Sequence, residues 1–359
     1  MIFFIMKNMS VQKFPFSLPG ASLFIALFVG ISAFAQTVST LPTGFLKVDL
    51  PDGTAVAPSR TSVYVAIQDQ SSVPSGSPTG TITAVGPDSF SDSLGNWTPG
   101  ALSVKATPYL IRIVSGNAKG TIWQISTSAS ALNTATTVTV LNQGIDLTTL
   151  GIVNGVDTYE IIPADTLNNL FGATILPGGS TPAAADTVQV WNGLVWIVYY
   201  FNTDLNKWLR VGPNTDSSDT VIRPDVGMII FHRFPAKSFR VLGRVAPSDL
   251  QIRYANGGNT YVGGFPITQT FGTAKFQNLP GWKQNANYLQ ADLVQIWNGA
   301  AWISYFFNPS AVTPQWQRVG PNTPSDSVNV FVPGRPVMLV KRGTATGSSF
   351  LVQLNPLAN

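Results

Sequence analysis

The chain has 359 residues, with 21 Lys and Arg against 17 Asp and Glu, a net charge of +4, one His and no Cys. Charged side chains make up only 11% of it, where about 25% is ordinary, and they form no basic run of the kind that binds nucleic acid. Glu160 is the only glutamate and His232 the only histidine, and Cys is absent, so zinc sites, cysteine nucleophiles, Ser-His-Asp triads and paired glutamates have almost no material from which to be built. Aspartate alone is left for acid and base chemistry.

The amino terminus carries Lys7 and Lys13, an apolar run over residues 22–34 and the small-residue pattern Ala33-Phe34-Ala35. These are the parts of a signal peptide. The run is shorter than the roughly 20 residues a spanning helix needs, so the expected product is residues 36–359, exported after cleavage near Ala35, with no transmembrane span in the mature chain. Its location is expected to be extracellular, cell-surface or periplasmic.

Strand signals follow, as short β-branched and aromatic runs between Gly, Pro, Asn and Asp. They start at Phe45, Thr61, Gly80, Ala101, Tyr109, Gly120, Thr136 and Tyr159. A Ser/Pro/Gly-rich stretch over residues 69–79 reads as a loop. Helical pieces are expected only near residues 145–150 and 164–171, the second capped by Asp165. Residues 36–163 are expected to form an amino-terminal all-β domain, a barrel or a sandwich.

Beyond it the chain repeats itself. Residues 186–202 (DTVQVWNGLVWIVYYFN) and 292–308 (DLVQIWNGAAWISYFFN) share eleven of seventeen positions, and WLRVGPNT from Trp208 is matched by WQRVGPNT from Trp316. LNNLFG from Leu167 is matched to ITQTFG from Ile267, GMIIFHR from Gly227 to PVMLVKR from Pro336, and Phe239 and Val241 to Phe350 and Val352. Two homologous antiparallel β-sandwich or barrel modules are therefore expected, at 164–250 and 251–359, each the size of a small domain.

Within each block Asn192-Gly193 and Asn298-Gly299 interrupt alternating apolar runs, which predicts a hairpin with a two-residue type I′ turn. Pairing Trp191 with Leu194 puts Val188, Val190, Val195, Ile197, Tyr199 and Phe201 on one face. The second copy puts Val294, Ile296, Ala301, Ile303, Tyr305 and Phe307 there. That face is the expected core. Gln189, Trp191 and Trp196, with Gln295, Trp297 and Trp302, lie on the other.

Tyr109 to Gly120 (YLIRIVSGNAKG), Gly144-Ile145-Asp146-Leu147, Tyr159 to Pro163, Leu170-Phe171-Gly172 and the Trp-x-Arg-Val-Gly string together resemble an uncharacterised family of signal-peptide-bearing bacterial proteins that occur as paralogous sets. The resemblance spans roughly residues 45–233. It implies no catalytic or binding residue. The second WNG block departs from the single carboxy-terminal module of that family.

The Trp-rich face is the sharpest candidate site. Exposed indoles at Trp191 and Trp196, and at Trp297 and Trp302, would stack on sugar rings while Gln189 and Gln295 orient hydroxyl groups. The competing reading packs them beneath a neighbouring strand, as large aromatics usually are. Arg210 and Arg318 are expected in structural pairs with Asp186 and Asp292, or with Asp219 and Asp326. Asn192, Gly193, Asn298 and Gly299 are assigned structural turn roles. Asp216 is replaced by Pro324 in the second copy, which argues against a metal, and no cofactor is expected. His232, matched by Lys341, is expected to be a partly exposed strand residue. The functional expectation is a non-catalytic exported protein, a structural or adhesive component of the cell surface or envelope. The alternative is a carbohydrate-binding protein using the Trp faces. Partners would be surface glycans, other envelope proteins or further copies of the chain.

Overall fold

The computed structural model describes residues 43–65, 78–192, 194–246, 249–343 and 347–353. The expected signal segment, Gly193 and most of the loop expected over residues 69–79 lie outside these. The architecture is all-β, built from several antiparallel sheets. Every sheet among the described residues is open, so the barrel form of the expectation is not seen.

Strand β1 (Thr43–Leu50) alternates exposed and buried residues, turning Leu46, Val48 and Leu50 inward, as period-two patterning requires of a strand with one solvated face. β2 (Ser59–Val63) follows. The next stretch holds β3 (Thr79–Thr81), β4 (Ala84–Val85), β5 (Ser89–Ser91), β6 (Tyr109–Ile113), β7 (Ile122–Gln124), β8 (Thr137–Thr139) and β9 (Thr158–Pro163). They form sheets of order β3-β9-β6-β7 and β4-β5-β8 around a core that includes Phe90, Trp97, Ile111, Trp123 and Tyr159. β6 is buried at all five positions. Its Arg112 donates to the lone glutamate, Glu160, on the paired strand β9. Residues 101–106, expected as a strand, are turns instead. The Leu102 amide is held by Asn133 Oδ1 at 2.9 Å rather than by a ladder partner.

β10 (Asp165–Thr166) leads into α1 (Leu167–Phe171), then β11 (Thr187–Trp191), β12 (Trp196–Asn202), β13 (Lys207–Arg210), β14 (Val221–Ile222), β15 (Met228–His232) and β16 (Lys237–Arg244). The remainder holds β17 (Leu250–Ala255), β18 (Gly258–Val262), β19 (Gln269–Thr270), α2 (Phe271–Ala274), β20 (Leu293–Trp297), β21 (Trp302–Asn308), β22 (Gln315–Arg318), β23 (Asn329–Phe331), β24 (Val337–Lys341) and β25 (Ser348–Gln353). Two five-stranded sheets result, of order β13-β12-β11-β15-β2 and β22-β21-β20-β24-β18. The orders correspond strand for strand. β1, beside β16, and β2, beside β15, lie in sequence ahead of the β3–β9 segment, so the first sheet takes strands from both sides of it.

Helix α1 is capped by Thr166, whose side chain takes the Asn169 amide in a capping box, not by Asp165. Thr270 and Thr273 cap α2 in the same way. These caps equate Thr166 with Thr270, four residues out of step with the match between LNNLFG and ITQTFG. The shared Phe-Gly is a coincidence of composition. A similar slip affects β25: Phe239 is in the first core, but Phe350 packs on the core of the β3–β9 segment against Trp123, and Leu351 takes the place in the second module's core. A one-residue offset reverses every side chain of a strand.

Candidate functional site

The hairpin register pairs Trp191 with Trp196 and Trp297 with Trp302. This corrects the expected pairing of Trp191 with Leu194. In the second copy the Asn298 amide bonds to the Ala301 carbonyl, making Gly299 and Ala300 the central residues. Gly299 has φ +101° and Asn298 has an ordinary negative φ, so positive φ falls at the first central position, as in a type II′ rather than a type I′ turn. Asn298 serves as a cap. Its Oδ1 accepts from the amides of Ala300 and Ala301, and Asn192 Oδ1 accepts likewise from Leu194 and Val195. The register differs from the expectation by two residues, which preserves the faces. Val188, Tyr199 and Phe201 lie in one core, and Val294, Ile296, Tyr305 and Phe307 in another. Val195 and Ala301 are exposed in the turns, not in the core.

The opposite faces meet each other. Trp191 packs edge-on against Trp196 at 5.3 Å, Trp196 against Tyr261 at 5.3 Å, Tyr261 against Trp302 at 5.7 Å, and Trp302 against Trp297 at 5.4 Å. Ile229 and Met338, at corresponding places in β15 and β24, complete the layer. The polar ends of the indoles cross over. Trp191 Nε1 donates to the Asn259 carbonyl on the edge strand of the second sheet, and Trp297 Nε1 donates to the Arg60 carbonyl on the edge strand of the first. Two backbone bonds show the same reciprocity, from Tyr64 to the Gly334 carbonyl and from Gly263 to the Asp225 carbonyl. The contacts thus follow a local two-fold relation between the sheets, with Ser62 bonded to the Tyr261 hydroxyl where they meet. Burial raises the Tyr261 and Tyr64 hydroxyls above the usual tyrosine range. The tryptophans are therefore placed between the sheets. Gln189 and Gln295 are half-buried, and Gln295 bonds to Ser304.

The expected arginine pairs do not form. Arg210 and Arg318 are exposed, and neither meets a carboxylate among the described residues. Asp186 instead bonds to His232 Nδ1 at 2.6 Å and to the Arg233 amide at 2.8 Å. Asp292 holds Lys341 Nζ and the Arg342 amide in the corresponding arrangement. His232 is fully buried, contrary to its expected exposure. Its match to Lys341 reflects a shared task, donating to a buried carboxylate. Asp219 and Asp326 are not equivalent. Asp326 Oδ1 accepts the Trp316 amide, as Ser218 Oγ accepts the Trp208 amide.

A cleft of about 460 Å³ opens beside this aromatic layer, within the size range of small-ligand sites. It lies where the hairpin end at Trp191 and Asn192, the run from Val221 to Met228, strands β17 and β18 and the loop at Gln143 converge. Arg223 is fixed in it by a fork on Asp225, Nε to Oδ1 at 2.9 Å and Nη2 to Oδ2 at 2.6 Å, and by the Ile122 carbonyl at 3.2 Å. Arg253 stands nearby. Its Nη1 makes only long bonds of 3.3 Å, to the Gln143 carbonyl and to Ser348 Oγ. Burial and the neighbouring Arg223 lower its pKa, and Asp225 opposes them. The lining thus combines aromatic and aliphatic side chains with two guanidinium groups.

No repeated string announces this cleft, because Arg223-Pro224-Asp225 corresponds to Val332-Pro333-Gly334 and Arg253 lies outside the repeats. The usable signal was the difference between the copies. Among the described residues no group of three or more His, Asp or Glu side chains stands close enough to hold a metal ion, and no helix is long and apolar enough to cross a membrane. No protein-family model, curated protein or solved structure matches the chain.

Proposed function

We propose that this is a non-catalytic exported protein, a structural or adhesive component of the cell surface or envelope. The observation that carries the reading is the reciprocal aromatic layer between the two five-stranded sheets. Its indoles bind protein, making one fixed body of two units that, with open sheets alone, would each leave an apolar face uncovered. In this reading the units at 164–250 and 251–359 are β-sandwich modules, the first completed by β1 and β2. The amino-terminal pattern ending at Ala35 directs export, and the resemblance over residues 45–233 to a family of signal-peptide-bearing proteins agrees with that reading. The sparse charge suits a surface made of Thr, Ser, Asn and Gln. Cell fractionation with intact-mass analysis tests this. The expected species begins at Gln36 in an envelope or extracellular fraction, and size-exclusion with electron microscopy shows self-association or binding to envelope material. A protein retaining residues 1–35 in the cytoplasm would overturn it.

A second reading, carbohydrate binding, is favoured by one feature: Trp191 lines a cleft that also holds two guanidinium groups.

A further inference from the structure

We infer that the cleft between the Trp191 hairpin and strands β17 and β18 is a binding site for a sugar acid, a pyranose ring bearing one carboxylate. The inference develops the second reading above and is independent of where the protein resides.

The charge arrangement selects the carboxylate. Three charged groups line the cleft, Arg223, Asp225 and Arg253. Both oxygens of Asp225 are held by the fork of Arg223, and Arg253 makes no bond to either. Among the described residues Arg253 meets no carboxylate at all, and its two bonds to neutral oxygens are long and involve Nη1 alone. With Arg223 and Arg253 set against the one carboxylate of Asp225, the cleft carries one net positive charge. The planar fork that Arg253 leaves open matches a carboxylate in two-point geometry. A divalent cation is repelled here, and an uncharged ligand would leave the arginine as it stands.

The rest of the lining selects a ring with hydroxyl groups. The Trp191 indole has its Nε1 engaged with Asn259, so what it presents to the cleft is carbon surface. Asn192, Thr260 and Ser348 line the same space; their oxygens accept from Leu194 and Val195, from Ala255 and from Arg253, which leaves the Asn192 amide nitrogen and the two hydroxyl protons as donors there. A small apolar wall with a few convergent polar groups is the usual make-up of a small-ligand site. Ring hydroxyl groups, which an aliphatic acid lacks, are acceptors for those donors.

The test is calorimetric titration of the full exported chain with methyl glucuronide, methyl galacturonide, an oligogalacturonide, the corresponding neutral methyl glycosides, and sodium acetate. The uronides are expected to bind at least about tenfold more tightly than the neutral glycosides and acetate. Binding by the monosaccharides identifies a single sugar acid as sufficient, and binding by the oligomer alone identifies a chain as the source of the same carboxylate. Arg253→Gln is expected to lower uronide affinity about tenfold or more with no shift in melting temperature. Arg253→Lys, which keeps the charge and loses the fork, is expected to fall between. Equal affinity for neutral and acidic glycosides, acetate as effective as uronides, an affinity unchanged in Arg253→Gln, or no uronide binding by the folded protein would each overturn the proposal. Surface localisation could fail, or hold, without altering any of these results.

Discussion

Tyr261 is the residue on which the junction of the two sheets depends most directly. It is 1% exposed, lies edge-on to Trp196 and Trp302 at 5.3 and 5.7 Å, and its hydroxyl is bonded to Ser62. Replacing it by Ala removes a fully buried ring with partners on both sides, a change that costs about 3 to 5 kcal/mol in packed sites. Tyr261→Phe keeps the ring and both edge contacts. It removes one hydroxyl partner, at about 0.5 to 1.5 kcal/mol. The two substitutions should therefore differ by roughly 2 to 4 kcal/mol, and the difference is the packing of the ring alone. Urea denaturation followed by tryptophan fluorescence measures both, since four of the reporting indoles lie in the same layer. A double-mutant cycle of Tyr261→Ala with Trp196→Ala should add a coupling of about 0.5 to 1.5 kcal/mol from the edge contact. A Tyr261→Ala protein within about 1 kcal/mol of the original, or a Phe variant as unstable as the Ala variant, would refute the packed junction.

Gly299→Val should destabilise the protein by about 1 to 3 kcal/mol. Gly299 has φ +101° with open space around an added Cβ, so the cost is backbone strain alone, and an unchanged midpoint in a denaturant melt would contradict the turn geometry. Lys341→Met should cost about 3 to 5 kcal/mol by stranding the buried Asp292 carboxylate. Lys341→His, which reproduces the Asp186 and His232 arrangement, should retain more stability than Met, and the reverse order in thermal melts would count against equivalent roles. Stability should also fall at alkaline pH. Burial raises the hydroxyls of Tyr64, Tyr159 and Tyr261, with Asp92 adding to the effect at Tyr159. In the unfolded chain these tyrosines ionise around pH 10. Their contribution is complete below that pH and is lost as pH rises toward the folded values, so the denaturation midpoint should hold to about pH 10 and drop beyond it.

Much of the fold was legible because period-two patterning reports burial directly. β1, β6, β9, β11, β12, β20 and β21 fall where alternating or continuous apolar runs place them. The division of the hairpin faces survived a wrong turn assignment, because Trp191 opposite Leu194 and Trp191 opposite Trp196 differ by an even number of residues. Where the chain has no such period, reading failed. Residues 101–106 carry strand-like composition but are held as turns by Asn133, a partner some thirty positions away that no local pattern could announce. The Asp186 and His232 pair is likewise invisible locally. It requires β11 and β15 to be neighbours, which is a fact of topology.

Comparing the two copies located the scaffold and concealed the cleft for the same physical reason. Positions kept in both, such as Trp191 and Trp297 or Asp186 and Asp292, are those that the packing of either unit requires. A binding site that sits once on a nearly two-fold body takes its distinguishing residues from positions where the copies differ. Arg223 and Asp225 against Val332 and Gly334 are such positions, and Tyr64 against Gly263 is another, where a bulky ring on one side fills the space its counterpart leaves empty: a Cβ added to Gly263 would lie 2.6 Å from the Tyr64 ring. The local two-fold relation therefore separates two kinds of residue. Residues that obey it hold the sheets together from both sides, and those that break it either fill the junction once, as Tyr261 and Tyr64 do opposite Ser62 and Gly263, or line the cleft, as Arg223 and Asp225 do.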